Sequence, residues 1–474
     1  MTSHSGTAGT VDPSGDHAGA GEAPAEQRRK AVVSSFLGNF VEWFDYGAYS
    51  YLAVTIAAAF FPGDTENSLF MTFALFAVSF LIRPFGAFFW GHWGDKFGRT
   101  KTLAWSILLM TGATFLIGCL PGASTIGMAA PILLLVFRLI QGFSAAGEYA
   151  GASALLSEFA PRGKRGRFAA IVPASTASGL LLGSLSATLL YGLLDESSME
   201  SWGWRLPFLV AGPLGLVGLY IRRKIDDTPA FQAHTTRQMA IVERGQKPPS
   251  PTLQLVTKNL PELIQGFGIV LLNAVGFYVV LTFMPTYLSE NLGYDATASQ
   301  LATTISLVTY ISFIFLTGRI ADRIGRRSTL ILASATFLVL SVPAFLVMGT
   351  GHYWLAVLVL VVMGAFLSLN DGALPSAVSE LYPTAVRFSG FALVFNIGNA
   401  LFGGPMSALN TWLISATGNT LWPAYILMAA ALLALIAVLW SKDRSRTEID
   451  DVAPTAGDAE GRPGPAEESA PSGR

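Results

Sequence analysis

The chain has 474 residues, 52% of them hydrophobic and only 13% charged, against roughly 25% charged in soluble domains. That composition excludes a soluble enzyme or binding module and indicates an integral membrane protein. The formal net charge is -1, so what matters is where the charges lie, and the single cysteine, Cys119, excludes an intrachain disulfide or a Cys-based metal cluster.

Residues 1–30 are rich in Gly, Ala, Ser and Thr and lack the apolar core of a signal peptide. They read as a disordered cytosolic tail. Apolar runs of about 20 residues, long enough to cross a bilayer, then follow near 31–60, 69–92, 101–120, 129–156, 168–192 and 205–222. A second set lies near 262–288, 299–318, 328–349, 354–378, 389–414 and 421–440. About twelve transmembrane helices are predicted, in an all-α membrane fold of two six-helix bundles at 31–222 and 261–440. Residues 223–260, with Pro248, Pro249 and Pro251, read as the cytosolic linker, and 441–474, rich in Pro, Gly and acidic residues, as a disordered cytosolic tail.

The first span carries Asn39, Glu42, Asp45, Tyr46 and Tyr49 at i, i+3, i+6, i+7 and i+10, a polar and aromatic stripe on one helix face that is expected to line a cavity. Arg83 lies in the second span, and Arg138 and Glu148 in the fourth. An ionisable residue costs at least ~2.5 kcal/mol at a helix centre unless it is paired or solvated. At 1.5 Å per residue, Glu42, Asp45, Arg83 and Glu148 fall roughly 13 to 18 Å from one membrane surface and are expected to gather in one mid-membrane cluster. Arg138 falls roughly 15 Å further out than Glu148, so those two are not expected to pair.

A carboxylate that changes its surroundings can load and release a proton, which makes Glu42, Asp45 and Glu148 the candidates for proton coupling. Arg83 and Arg138 are candidates for holding a substrate carboxylate. Aromatic faces attract quaternary ammonium groups. They are supplied by Trp43, Phe44, Tyr46 and Tyr49 on the first span and by Phe277, Tyr278, Phe283 and Tyr287 on the seventh. Tyr46 and Tyr278 are preferred, since a hydroxyl in hydrocarbon needs a partner. Asn39 and Asn273 complete the candidate substrate set. Asp371, beside Asn370 on the tenth span, reads as nearer its cytosolic end, where a helix-contact role serves equally well.

Between spans, Gly91, Asp95, Lys96, Gly98 and Arg99 return with the same offsets as Gly318, Asp322, Arg323, Gly325 and Arg326. Glu158, Pro161 and Arg165 likewise return as Glu380, Pro383 and Arg387. Two echoes at nearly one period mark a duplicated unit. Basic residues fall in alternate connections, among them Lys96, Arg99, Lys101, Arg162, Lys164, Arg165, Arg222, Arg223, Lys258, Arg323 and Arg327. By the positive-inside rule both termini are expected in the cytoplasm.

There is no G-x-x-x-x-G-K-[ST] loop and no H-E-x-x-H pattern. No cofactor, metal or nucleic-acid partner is expected. The expected partners are a small-molecule substrate, protons and the lipid bilayer, with oligomeric state left open.

The paired hairpins resemble the loop signature of the major facilitator superfamily. Its metabolite:proton symporter branch is resembled by Gly38–Tyr46, by Ile82-Arg83-Pro84-Phe85-Gly86, by Gln141–Ser144 with Gly147–Tyr149, and by Trp202–Phe208. Met284-Pro285-Thr286-Tyr287-Leu288-Ser289 and Asp227–Phe231 look most like the proline/glycine betaine transporters of that branch. The resemblance implies a secondary transporter, not an enzyme, in the inner (plasma) membrane, importing zwitterionic osmolytes with protons by alternating access. The alternative within the branch is uptake of di- or tricarboxylates or related organic acids, with Arg83 and Arg138 as anion clamps. It further implies that the hairpins act as a conformational gate, built from Gly91, Asp95, Arg99, Gly318, Asp322 and Arg326, with each Asp holding a neighbouring helix N-terminus. Arg138 stands where the pattern has Lys, Asp371 where it has an uncharged residue, and the tail after Ser441 lacks sustained heptads.

Overall fold

Apolar runs of this length can satisfy their backbone N–H and C=O groups in a bilayer only by closing them into helices. The computed structural model, which describes residues 24–61, 65–244 and 250–442, places a helix over every predicted span. Ten helical stretches among the described residues are long and apolar enough to cross a membrane. Two more spans are interrupted by one residue each. They are α1, Ala25–Tyr51 continued by Ala53–Phe60, and α2, Thr65–Leu81 continued by Arg83–Phe97. The break in α2, at Ile82, lies two residues before Pro84, which has no N–H to give to the ladder.

The remaining spans are α3 (Arg99–Cys119), α4 (Ala129–Phe159), α5 (Arg165–Leu193), α6 (Gly203–Arg222), α7 (Leu260–Asn291), α8 (Ala296–Ile324), α9 (Arg326–Met348), α10 (Tyr353–Leu381), α11 (Arg387–Thr417) and α12 (Trp422–Trp440). Residues 25–30, expected in the N-terminal tail, form the first turns of α1. Most of both predicted tails lies outside the described residues. The linker contains two helices of its own, Pro229–Glu243 and Pro251–Lys258.

The duplication survives in the packing. In the first half α1 packs on α5 and α6, α3 on α4 and α6, and α2 on α4; in the second half α7 packs on α11 and α12, α9 on α10 and α12, and α8 on α10. Each pairing recurs six helices on. The halves meet along two equivalent seams, α2 against α11 and α5 against α8, with α4 reaching α10 and α11 between them.

Two helices depart from regular winding where they pass the centre. α7 opens into wide i→i+5 turns at Phe277–Phe283 and Tyr287–Asn291, and α11 does so at Asn399–Gly403. Such turns insert an extra residue and re-aim the side chains beyond it. Pro285 and Pro405 follow closely, each lacking the N–H a regular ladder requires. The two widened segments touch, because Gly403 leaves room for the Tyr278 ring: a Cβ there would lie 2.6 Å from it.

Candidate functional site

The membrane-buried charges of the first half are matched in three ion pairs. Arg83 Nη2 donates to Glu42 Oε1 at 2.8 Å. Arg138 Nη1 donates to Asp45 Oδ2 at 2.9 Å, and Gln141 Nε2 donates to the other oxygen at 3.0 Å. Glu148 takes two bonds from Arg222, of 2.8 and 3.0 Å. All six residues are at most 2% exposed. At that burial an unpaired charge is costly, and each arginine is matched by an acid. As the depths along the helices require, Arg138 and Glu148 have different partners.

Arg222 corrects the sequence reading, which counted it among loop cations because it ends an apolar run. It is fully buried and also donates to the carbonyls of Leu103 and Ser34, binding α6 to α1, α3 and α4 together.

The stripe on α1 divides among three neighbours. Asn39 donates to Val172 O, Ser175 Oγ and Thr176 Oγ1 at 3.1, 2.9 and 2.7 Å, and so ties α1 to α5. Asp45 and Tyr49 turn toward α4, where the Arg138 guanidinium lies 3.4 Å from the Tyr49 ring centre. Glu42 and Tyr46 turn toward the seam between the bundles. Asn39 and Arg138, both substrate candidates by sequence, are thus occupied within the first bundle.

At the seam, five aromatic rings close on one another. Trp43, Phe277, Tyr278, Phe80 and Tyr46 form a cycle whose successive ring centres are 5.2, 5.7, 6.1, 5.4 and 5.9 Å apart, the last distance returning to Trp43. Three rings come from α1 and α2, and two from the widened turn of α7. The Arg83 guanidinium sits 4.9 Å over Tyr46 and 4.6 Å over Phe80 while holding Glu42. Buried polar atoms without a hydrogen-bond partner gather here: Glu42 Oε2, Trp43 Nε1 and the Tyr278 hydroxyl. Buried polar groups are costly to leave unpaired. Tyr46, Tyr278 and Arg83 were singled out by sequence. Phe80 was not, although its position three residues before Arg83 puts it on the same helix face.

Asn273 does not enter this enclosure; its amide donates to Asp371 at 2.9 Å. Phe283 and Tyr287 pack on each other and, through Tyr287, on Phe345 of α9, away from the five rings. Phe44 stacks on Phe40 along α1.

The hairpins meet at one end of the seam. Gly98 and Gly325 take φ of 108° and 93° in the α2–α3 and α8–α9 turns, a conformation in which a Cβ is strained. Asp95 accepts backbone N–H bonds from Phe388 and Ser389 at 3.1 and 2.7 Å, capping α11. Asp322 accepts those of Gly166 and Arg167 at 2.7 and 3.1 Å, capping α5. Each half thus holds a helix N-terminus of the other, where a negative charge is favourable.

The second echo completes the latch. Glu158 bridges Arg99 of its own half and Arg387 of the other, and Glu380 bridges Arg326 and Arg165 in the same way, at 3.5 and 3.3 Å. Gly91 and Gly318 allow the contact: a Cβ would lie 2.7 Å from Ser389 Cα in one case and 2.8 Å from Gly166 O in the other. Glu158, Arg165, Glu380 and Arg387 were visible in the sequence as an echo but were not given this role. The linker joins the Glu158 side, with Thr228 donating to Glu158 at 2.5 Å and Asp227 accepting from Thr100 N at 3.0 Å.

The sequence profile of the sugar (and other) transporter family matches residues 30–443. The chain is 36% identical over 437 residues to the proline/betaine transporter of Escherichia coli strain K12, covering 91% of this chain and 86% of that one. It is 36% identical over 448 residues to the ectoine/proline transporter ProP of Corynebacterium glutamicum, covering 91% and 87%. Among solved structures, the major facilitator superfamily proton:xylose symporter XylE bound to 6-bromo-6-deoxy-D-glucose superposes with a TM-score of 0.73 at 16% identity, over 91% of this chain and 99% of that one. That likeness establishes the common fold.

Proposed function

This chain belongs to the sugar (and other) transporter family of the major facilitator superfamily, and from that premise we propose that it imports small zwitterions, such as proline or glycine betaine, together with protons. The observation that carries the reading is the cycle of five aromatic rings, two of which, Tyr46 and Phe80, lie under the Arg83 guanidinium of the Arg83–Glu42 pair. Aromatic faces receive an ammonium group, and a guanidinium receives a carboxylate. A zwitterion needs both within a few ångströms. The relatives named for proline, betaine and ectoine point the same way.

Coupling follows from competition for Arg83. A substrate carboxylate that takes Arg83 displaces Glu42, which then becomes a buried carboxylate without its cation. A proton from the outer side neutralises it, so substrate and proton enter together. Opening toward the cytosol returns the proton to water and lets Glu42 reclaim Arg83 as substrate leaves. Asp45 and Glu148, the other proton candidates, each accept two bonds from their partners, and we assign them to holding the first bundle together. Arg83 and Arg138 are both neutralised by acids, which weighs against a di- or tricarboxylate as cargo.

The hairpin end carries the basic loops, so we orient it, with both termini, toward the cytoplasm of a cell with this protein in its inner (plasma) membrane. The test is uptake of labelled glycine betaine into proteoliposomes with an imposed acid-outside gradient. Concentrative uptake, abolished by a protonophore and blocked by proline but not by 2-oxoglutarate, is expected. Competition by the dianion alone would overturn the zwitterion reading.

A further inference from the structure

Asp371 is a buried carboxylate that the coupling described above leaves unused. It lies on α10 and is fully buried. Its Oδ1 accepts the Asn273 and Asn370 amides, each at 2.9 Å, and its Oδ2 accepts the Tyr310 hydroxyl at 2.6 Å. All three donors are neutral. Glu42, Asp45 and Glu148 each face an arginine, whereas no Arg, Lys or His pairs with Asp371 among the described residues.

The titratable groups within electrostatic reach of it are Tyr310, from α8, which bonds it directly, and Tyr149, from α4 of the other bundle. Tyr149 is buried, its hydroxyl has no hydrogen-bond partner, and its ring stacks on Phe395 of α11 with centres 4.0 Å apart. A carboxylate enclosed by neutral groups bears a large desolvation cost that one proton removes. Counting ten residues back from the end of α10 at Leu381, Asp371 lies roughly 15 Å from the hairpin end, at mid-membrane depth rather than near the surface.

The surroundings connect it to the five rings. The Tyr310 ring meets that of Phe277 edge-on, with centres 6.4 Å apart. Asn273 stands one helical turn before Phe277 on α7. A change in how Asp371 is hydrogen-bonded therefore reaches the enclosure through two side chains.

We propose that Asp371 is a second exchangeable proton site, carried by the C-terminal bundle, within electrostatic reach of Tyr149 of the N-terminal bundle and linked to the five aromatic rings through Tyr310 and Asn273. While the bundles are latched, the acid holds its proton on Oδ2, the Tyr310 hydroxyl 2.6 Å away turning from donor to acceptor. Parting them at the hairpin end draws Tyr149 away and admits water; the carboxyl O–H then breaks, its proton goes to water, and the carboxylate remains, held by the three neutral donors. The role in transport rests on the zwitterion:proton reading, but the proton site itself does not.

The test is a pH titration of the protonated-carboxyl C=O band by difference infrared spectroscopy, on the full chain in lipid nanodiscs without substrate. Asp371→Asn is expected to remove one component of that band. Tyr310→Phe removes a donor to the charged form and is expected to move the same component up by about one pH unit. A titration of Asp371→Asn that superimposes on the parent overturns the proposal. If that variant does not fold, an unshifted Tyr310→Phe titration overturns it instead. Loss of the component in a protein that does not accumulate glycine betaine supports the proton site and removes only the zwitterion reading.

Discussion

Arg222 grips Glu148 through two hydrogen bonds, and Gly38 is pressed against that bridge: a Cβ at position 38 would lie 2.1 Å from Glu148 Oε1 and 3.1 Å from Arg222 Nη2. The glycine that opens the motif Gly38–Tyr46 is therefore there because an ion pair occupies the place of its side chain.

Gly38→Ala is expected to push the Glu148 carboxylate out of the bridge and leave Arg222 buried without its charge partner. The loss should approach the roughly 3 kcal/mol of breaking a buried pair from one side. Thermal unfolding followed by size-exclusion chromatography would show it as a lowered midpoint. An unchanged midpoint would mean that the bridge contributes little.

Glu42 and Arg83 predict a pH dependence of binding. If substrate displaces Glu42 from Arg83 and Glu42 then takes up a proton, the apparent affinity for glycine betaine must rise as pH falls and weaken as pH rises. Glu42→Gln carries no charge to displace, so its binding is expected to vary less with pH while concentrative uptake is lost and substrate exchange persists. Isothermal titration at several pH values, in buffers of different ionisation enthalpy, counts the protons directly. Equal proton uptake by parent and variant would assign the proton elsewhere.

Tyr278 separates the ring from the hydroxyl. Tyr278→Phe keeps the aromatic face and is expected to hold affinity for glycine betaine within about threefold, whereas Tyr278→Ala should lose about tenfold, near 1.4 kcal/mol. Trp43→Phe and Trp43→Ala should divide in the same way. Should the Phe variants lose as much as the Ala variants, the hydroxyl and indole N–H are the contacts that matter.

The latch predicts equivalent consequences in its two copies. Asp95→Ala and Asp322→Ala each remove a cap of about 1 kcal/mol, and Gly91→Ala and Gly318→Ala place a methyl group against backbone of the opposite half. All four should shift the population toward an open hairpin end, the glycine variants more strongly. Spin-label distances between positions 101 and 323, both exposed, in a Cys119→Ser background, would report it. Distances unchanged from the parent in the glycine variants would exclude a latch that depends on close approach.

Much of this architecture was legible in the chain itself. The helical spans and the repeated Gly/Asp/basic and Glu/Pro/Arg motifs follow from apolar run length and repeated offsets, both properties of local sequence. Partner choice was not legible. Arg222 looked like a loop cation because it ends an apolar run, and only the convergence of α1, α3, α4 and α6 makes it the counterion of Glu148. Phe80 looked like one apolar residue among many until α1, α2 and α7 brought five rings into a cycle. Asp371 could be seen as an acid in a span, but its lack of a cation is a fact about which helix faces meet. One-dimensional spacing determines how deep a residue lies and which face it shares; which charges and rings share that depth from other helices is decided by packing across hundreds of residues.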